Sequence, residues 1–232
     1  MRRLALSLFA VLSLAACATS TVTTSIPPAR PTAPLPPSDA ALYLNAPRAA
    51  LHSELFVCSP SGSNLGEVGA RGEALRYSPY IYTPAGPLLR MPAESACLSS
   101  GFGWRGVANG GGREHRGIDL ANPDGGFVYA PADGWVRSTD WRGGYGLVLE
   151  IDHGQGVSTL FAHLSEIDPR LHPGAFVQAG APLARMGMTG NATGVHLHYE
   201  VSVDGLLVDP LNYGAPAASN AWIESEAGAG KP

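Results

Sequence analysis

Val195-His196-Leu197-His198-Tyr199-Glu200-Val201-Ser202-Val203-Asp204-Gly205-Leu206-Leu207-Val208 is the stretch on which the reading of this 232-residue chain turns. A strand has a side-chain period of two. On that period Val195, Leu197, Tyr199, Val201 and Val203 share one face, and His196, His198, Glu200 and Ser202 share the other. The first face is uninterrupted and apolar, so it faces a core. Asp204-Gly205 is a strong two-residue hairpin turn, and Leu206-Leu207-Val208 returns. Both histidines lie on the polar face, so they are not core histidines. From this strand alone they are either a solvent-facing pair or part of a site.

Upstream the same grammar recurs. Gly146 to Asp152 reads as a strand, His153-Gly154-Gln155-Gly156 as a four-residue connection, and Val157 to His163 as the returning strand. His153 then sits in the turn and reads as structural, and His172, before Pro173-Gly174, as a surface turn residue. Gly (29) and Pro (20) favour turns and short strands, and no amphipathic helix exceeds about two turns. The expected fold is a mainly β, compact antiparallel sheet domain.

His115-Arg116-Gly117-Ile118-Asp119 pairs a histidine with a carboxylate four residues on. The glycines at 110–112 and 117 argue against a helix. In a straight strand the two residues face the same way but lie about 13 Å apart. That is too far to share a metal ion with bonds of about 2 Å. A shared ion therefore requires a bend near Gly117, which glycine permits.

Several motifs then follow in order: Phe102-Gly103-Trp104-Arg105, His115-Arg116-Gly117-Ile118-Asp119, Ala132-Asp133-Gly134, Tyr145-Gly146, Thr159-Leu160-Phe161-Ala162-His163-Leu164-Ser165, Gly187-Met188-Thr189-Gly190, Thr193 to Glu200, and Val208-Asp209-Pro210. Over about 120 residues this resembles the lysostaphin-like (LytM-type) zinc metallopeptidases of peptidoglycan. The resemblance implies that family's sheet domain with a groove. It implies that His115, Asp119 and His198 hold one Zn²⁺, and that His163 and His196 are the catalytic histidines. It implies hydrolysis of the peptide cross-links between peptidoglycan stem peptides. Two neutral imidazoles and a carboxylate suit zinc and leave a fourth position for water. Some relatives have lost these residues and activate cell-wall amidases; here every such position is filled. A structural wall-binding lipoprotein is a third reading. No aromatic residue lies between Arg105 and His115 to face a developing oxyanion.

The ends of the chain speak to location. Met1-Arg2-Arg3 followed by apolar Leu4 to Leu14 reads as an export leader too short to span a bilayer. Leu14-Ala15-Ala16-Cys17 resembles the lipobox of bacterial lipoproteins. That implies a signal peptide over 1–16, a lipid on Cys17 and a membrane anchor; Ala18 after the cysteine points to the outer membrane, facing the periplasm. If Cys17 is lipidated, Cys58 and Cys97 remain in an oxidising compartment, either as a disulfide or as two buried thiols. Residues 17–39 are a Pro/Thr/Ser-rich linker, 40–92 an accessory region without a motif, 93–214 the zinc metallopeptidase domain, and 215–232 a loose tail. The net charge is −4, and removing Arg2 and Arg3 leaves 13 basic against 19 acidic residues, or −6. The single lysine is Lys231, and no basic stripe exists, which excludes nucleic acid as a partner. The expected species is a monomer.

Overall fold

The computed structural model describes residues 40–74, 77–106 and 112–213. The leader, Cys17, the linker to residue 39 and the tail from residue 215 lie outside the described residues. In chain order the elements are a short helix α1 (Ala40–Asn45) and the strands β1 (Tyr80–Thr83), β2 (Gly86–Leu89), β3 (Cys97–Ser100), β4 (Gly103–Gly106), β5 (Gly112–His115), β6 (Ile118–Ala121), β7 (Phe127–Tyr129), β8 (Gly134–Trp141), β9 (Leu147–Gly154), β10 (Val157–Ile167), β11 (Phe176–Val177), β12 (Pro182–Met186), β13 (His196–Val203) and β14 (Leu206–Val208). The main sheet runs β11-β8-β9-β10-β13-β6-β3, with β12 joining β10 to β7 and β14 pairing with β13. Every pairing between these strands is antiparallel. β1-β2 and β4-β5 form two separate hairpins. The fold is thus mainly β, as expected.

β13 lies between β10 and β6 in the sheet and carries the pattern that opened the sequence. Leu197, Tyr199 and Val201 are fully buried in one large core with Phe161, Leu120, Leu149 and Ile151. At about 1.5–3 kcal/mol per large apolar side chain, this face locks the register. A slip by one residue would drive His196 and His198 into the core.

One expectation about a connection changes. The β9–β10 link has two residues, not four: Val157 pairs with Gly154, and Gln155-Gly156 turns with φ of 50° and 75°. Positive φ at both central positions is the turn that matches strand twist. His153 is therefore a strand residue. The β13–β14 turn uses the same geometry at Asp204 and Gly205, with φ of 50° and 77°.

The segment before residue 93 is not a separate layer. Leu55, Leu65, Ile81, Leu88 and Met91 are buried in the same core as β13. Arg90, 1% exposed, donates to the carbonyls of Ser78, Tyr80 and Pro210 and so clasps this segment to the residues after β14. Cys58 and Cys97 are joined by a disulfide. Trp104 and Trp141 are 64% and 63% exposed.

Candidate metal centre

Three strands bring the site together. In the sheet register His198 on β13 stands opposite Asp119 on β6, so their side chains leave the same face as neighbours. His115 ends β5, in a different hairpin, and the chain breaks between β5 and β6 at Arg116-Gly117. That break is the bend the sequence required. Gly117 is needed for closeness: a Cβ there would lie 2.2 Å from the Tyr199 carbonyl oxygen.

The result is a tight triangle of buried ligand atoms. His115 Nε2 is 3.1 Å from Asp119 Oδ1, His198 Nδ1 is 2.9 Å from the same oxygen, and the two nitrogens are 3.0 Å apart. These three edges cannot all be hydrogen bonds. If both imidazoles donated to Asp119, their N–H groups would crowd one another. A tetrahedral ion with bonds of about 2.0–2.1 Å holds its ligand atoms about 3.3 Å apart, close to what is observed. Two imidazoles and one carboxylate, all buried, form a donor set that fits zinc.

Each ligand is held from outside. His115 Nδ1–H donates to the Gly101 carbonyl at 2.6 Å, leaving Nε2 with its lone pair toward Asp119. His198 Nε2–H donates to Glu200 Oε1 at 3.1 Å, which frees Nδ1. Glu200 in turn accepts from Tyr145 Oη at 2.6 Å. Arg105 donates to Asp119 Oδ2 at 2.7 Å and also closes on His115 Nδ1. Such outer partners fix tautomer and orientation. Glu200, Tyr145 and Arg105 stand in the motifs quoted above, yet alternation alone assigned them no role. The available signal was Glu200 at i+2 from His198 on the same face.

Electrostatics agree with the geometry. Burial opposes the charge on Asp119, but His115 and His198 outweigh it and hold the carboxyl far below the usual range. Burial likewise opposes charge on His198, and Asp119 and Glu200 on either side of the ring outweigh it and raise its pKa. A cation held by His115, Asp119 and His198 would take over the role of that proton. Burial also opposes ionisation of Glu200, but bonds from His198 and Tyr145 lower its pKa. Burial and the bond to Glu200 push the Tyr145 phenol up to about 12, so it stays protonated.

His163 and His196 face one another beside the triangle, ring centroids 4.6 Å apart. Each anchors its Nδ1 on a backbone carbonyl at 2.8 Å, His163 on Thr189 and His196 on Gly194. His196 Nε2 lies 3.7 Å from Asp119 Oδ1. Burial pushes the His163 pKa below its ordinary value, which favours the neutral ring. A cleft of about 250 Å³ opens over this group, lined by Arg113, Glu114, Arg116, Gly144, Tyr145 and Asn191 together with His115, Asp119, His163 and His198. No described residue of 40–92 lines it. Tyr145 supplies an aromatic wall from a different part of the chain than the 105–115 segment.

Comparison with known proteins gives the same region. Residues 113–210 match peptidase family M23. The chain is similar to the DD-carboxypeptidase/endopeptidase Mpg of Neisseria meningitidis, 41% identical over 104 residues, covering 45% of this chain and 24% of that protein. It is similar to the murein hydrolase activator EnvC of Escherichia coli K12, 31% identical over 149 residues, covering 64% of this chain and 30% of that protein. The fold is similar to a crystal structure of a zinc-containing peptidase from Vibrio cholerae, with a TM-score of 0.52 and 29% identity over 63% of this chain and 48% of that one. The chain spans about a quarter of the length of the first curated relatives it matches.

Proposed function

We propose that this chain, whose residues 113–210 match peptidase family M23, is a zinc-dependent endopeptidase that hydrolyses the peptide cross-links of peptidoglycan. The observation that carries the reading is the triangle of His115, Asp119 and His198, with ligand atoms 2.9–3.1 Å apart and each residue oriented from outside. One zinc ion, when bound, supplies Lewis acidity to a water molecule and to the scissile carbonyl. His163 and His196 supply the proton chemistry. With Nδ1–H tied to a backbone carbonyl, each neutral ring keeps its Nε2 lone pair to accept a proton from the attacking water. The same nitrogen, once protonated, donates to the developing oxyanion or to the leaving amine. Arg105, Glu200 and Tyr145 keep the ligand atoms in position. An export leader, a lipid on Cys17 and the linker to residue 39 would hold this domain on the periplasmic side of the outer membrane, within reach of the wall.

The similarity to a murein hydrolase activator supports a second reading, in which the domain stimulates an amidase. The filled ligand and catalytic positions favour the enzyme. The test is digestion of purified sacculi and defined cross-linked muropeptides by zinc-loaded protein. Release of soluble muropeptides that disappears in His163→Ala supports the endopeptidase. No release by the wild type, with stimulation of an added amidase, supports the activator and overturns the enzyme reading.

A further inference from the structure

The family-matched region begins at residue 113, yet contacts that orient two of the metal ligands come from before it. The Gly101 carbonyl accepts from His115 Nδ1–H, and Arg105 grips Asp119 Oδ2. Both residues are themselves held by a segment further upstream. Gly101 N–H donates to the Ser63 carbonyl at 2.8 Å, and Ser63 bridges Ser100 in a short parallel pairing. Asn64 Nδ2 donates at 3.0 Å to the carbonyl of Trp104, the residue before Arg105. The contact is close-packed: a Cβ on Gly101 would lie 1.8 Å from the Asn64 carbonyl oxygen. Asn64 adopts φ of 56°, a left-handed conformation that asparagine tolerates better than most residues. Leu65, buried in the main core, pins one end of the segment. The Cys58–Cys97 disulfide, with Cys58 N–H donating to the Leu98 carbonyl, pins the other end to β3.

We propose that residues 58–65, closed onto β3 by the Cys58–Cys97 disulfide, are a positioning element of the metal centre. Ser63 and Asn64 act through Gly101 on His115 and through Trp104–Arg105 on Asp119. This gives the upstream segment a task that a wall over the cleft would not explain, since none of its described residues line that cleft. The inference rests on the zinc reading above and adds residues to it. Asn64 is exposed, so it can be changed without opening the core.

The experiment uses the full mature chain and two variants. Asn64→Gly keeps the left-handed backbone available and removes only the amide donor. Cys58→Ser/Cys97→Ser removes the staple. Zinc affinity is measured by chelator competition, ligand geometry by the visible absorption of the Co²⁺-substituted protein, and folding by thermal melting. Loss of an outer contact of a metal site typically weakens binding about 10–100-fold. The element lies one contact further out, so Asn64→Gly should weaken zinc retention by about tenfold or somewhat less, with a shifted Co²⁺ spectrum and a near-unchanged melt. The serine pair should weaken zinc at least as much. Should that variant not fold, Asn64→Gly decides. Equal zinc affinity and an identical Co²⁺ spectrum in wild type and Asn64→Gly overturn this inference alone. A wild type that binds no zinc overturns the zinc reading and this inference together.

Discussion

β13 and β10 lie side by side in the sheet and both deliver histidines to one cleft, but they do so by opposite means. β13 is regular. Its pleat alone sends Leu197, Tyr199 and Val201 to the core and His196 and His198 to the site. β10 is not. Phe161 pairs with Tyr199 on the core side and Ala162 with His198 on the site side. By alternation His163 would follow Phe161 into the core. Instead His163 takes φ of 60°, and β10 slips register against β9 and β12 around Leu164. Leu164 then fills the core, and the His163 ring swings to within 4.6 Å of the His196 ring. A β-bulge re-aims a side chain at the cost of local strain. The proposed ligand His198 is thus held on regular backbone, and the proposed proton-transfer residue His163 on irregular backbone.

The largest effects should follow that division. His198→Ala removes a ligand: zinc should be lost on dialysis and muropeptide release should fall to background. His163→Ala should keep zinc at full stoichiometry while release falls by about 10²–10⁴-fold, the usual worth of a positioned acid–base group. Metal analysis beside turnover of the same preparations checks both. Zinc loss in His163→Ala would erase the distinction between the two strands. Smaller is Glu200→Gln on the regular strand. It weakens the acceptor for His198 Nε2–H and Tyr145 Oη–H, and zinc should bind about 10–100-fold less tightly by chelator competition.

The contrast also has a backbone signature. On a regular strand glycine is worse than alanine by about 0.5–1 kcal/mol. In the left-handed region the sign reverses, because an L-side chain costs about 1–2 kcal/mol there. His163→Gly should therefore be more stable than His163→Ala by about 1 kcal/mol, and His196→Gly less stable than His196→Ala. Both members of each pair lose the imidazole, so its contacts cancel. Urea unfolding of the four variants measures the differences, and the same sign at both positions would show that the bulge does not bear on stability.

What the sequence made legible divides along the same line. Strict alternation plus Asp204-Gly205 specified β13, its faces and its turn. Gly117 between His115 and Asp119 specified a bend, because a straight strand could not bring them to one ion. The swing of His163 was illegible: a bulge changes which face a residue takes without changing residue types. The upstream segment was illegible for a different reason. Leu55 and Leu65 enter the core from irregular chain joined by isolated bridges, so no period marks them. Nor does alternation reveal that Glu200 and Arg105 bear on ligands, since those contacts depend on how β4, β5 and β13 converge.

A histidine outside the cleft, on β9 beside β10, sharpens the comparison by its pH response. His153 on β9 is buried, its Nδ1–H donating to the Asp133 carbonyl at 2.8 Å and its Nε2 accepting from Thr159 Oγ1 at 2.9 Å. Burial lowers its pKa below the ordinary 6.5, against smaller raising effects from the Asp133 carbonyl and the charges of Asp152 and Asp133. The unfolded chain thus binds this proton at a higher pH than the folded one. Between the two pKa values unfolding takes up a proton, so stability rises with pH across that window. The contribution is complete above about 6.5 and is progressively lost as pH falls through that value toward the folded pKa. One proton sets a ceiling of about 1.4 kcal/mol per pH unit. His153→Gln, which has no titrating ring, should flatten the acid limb of a melting-temperature profile below about pH 6.5. Identical profiles for wild type and variant would mean that the acid sensitivity resides elsewhere, and that this histidine's neutrality contributes nothing measurable to the sheet holding the site.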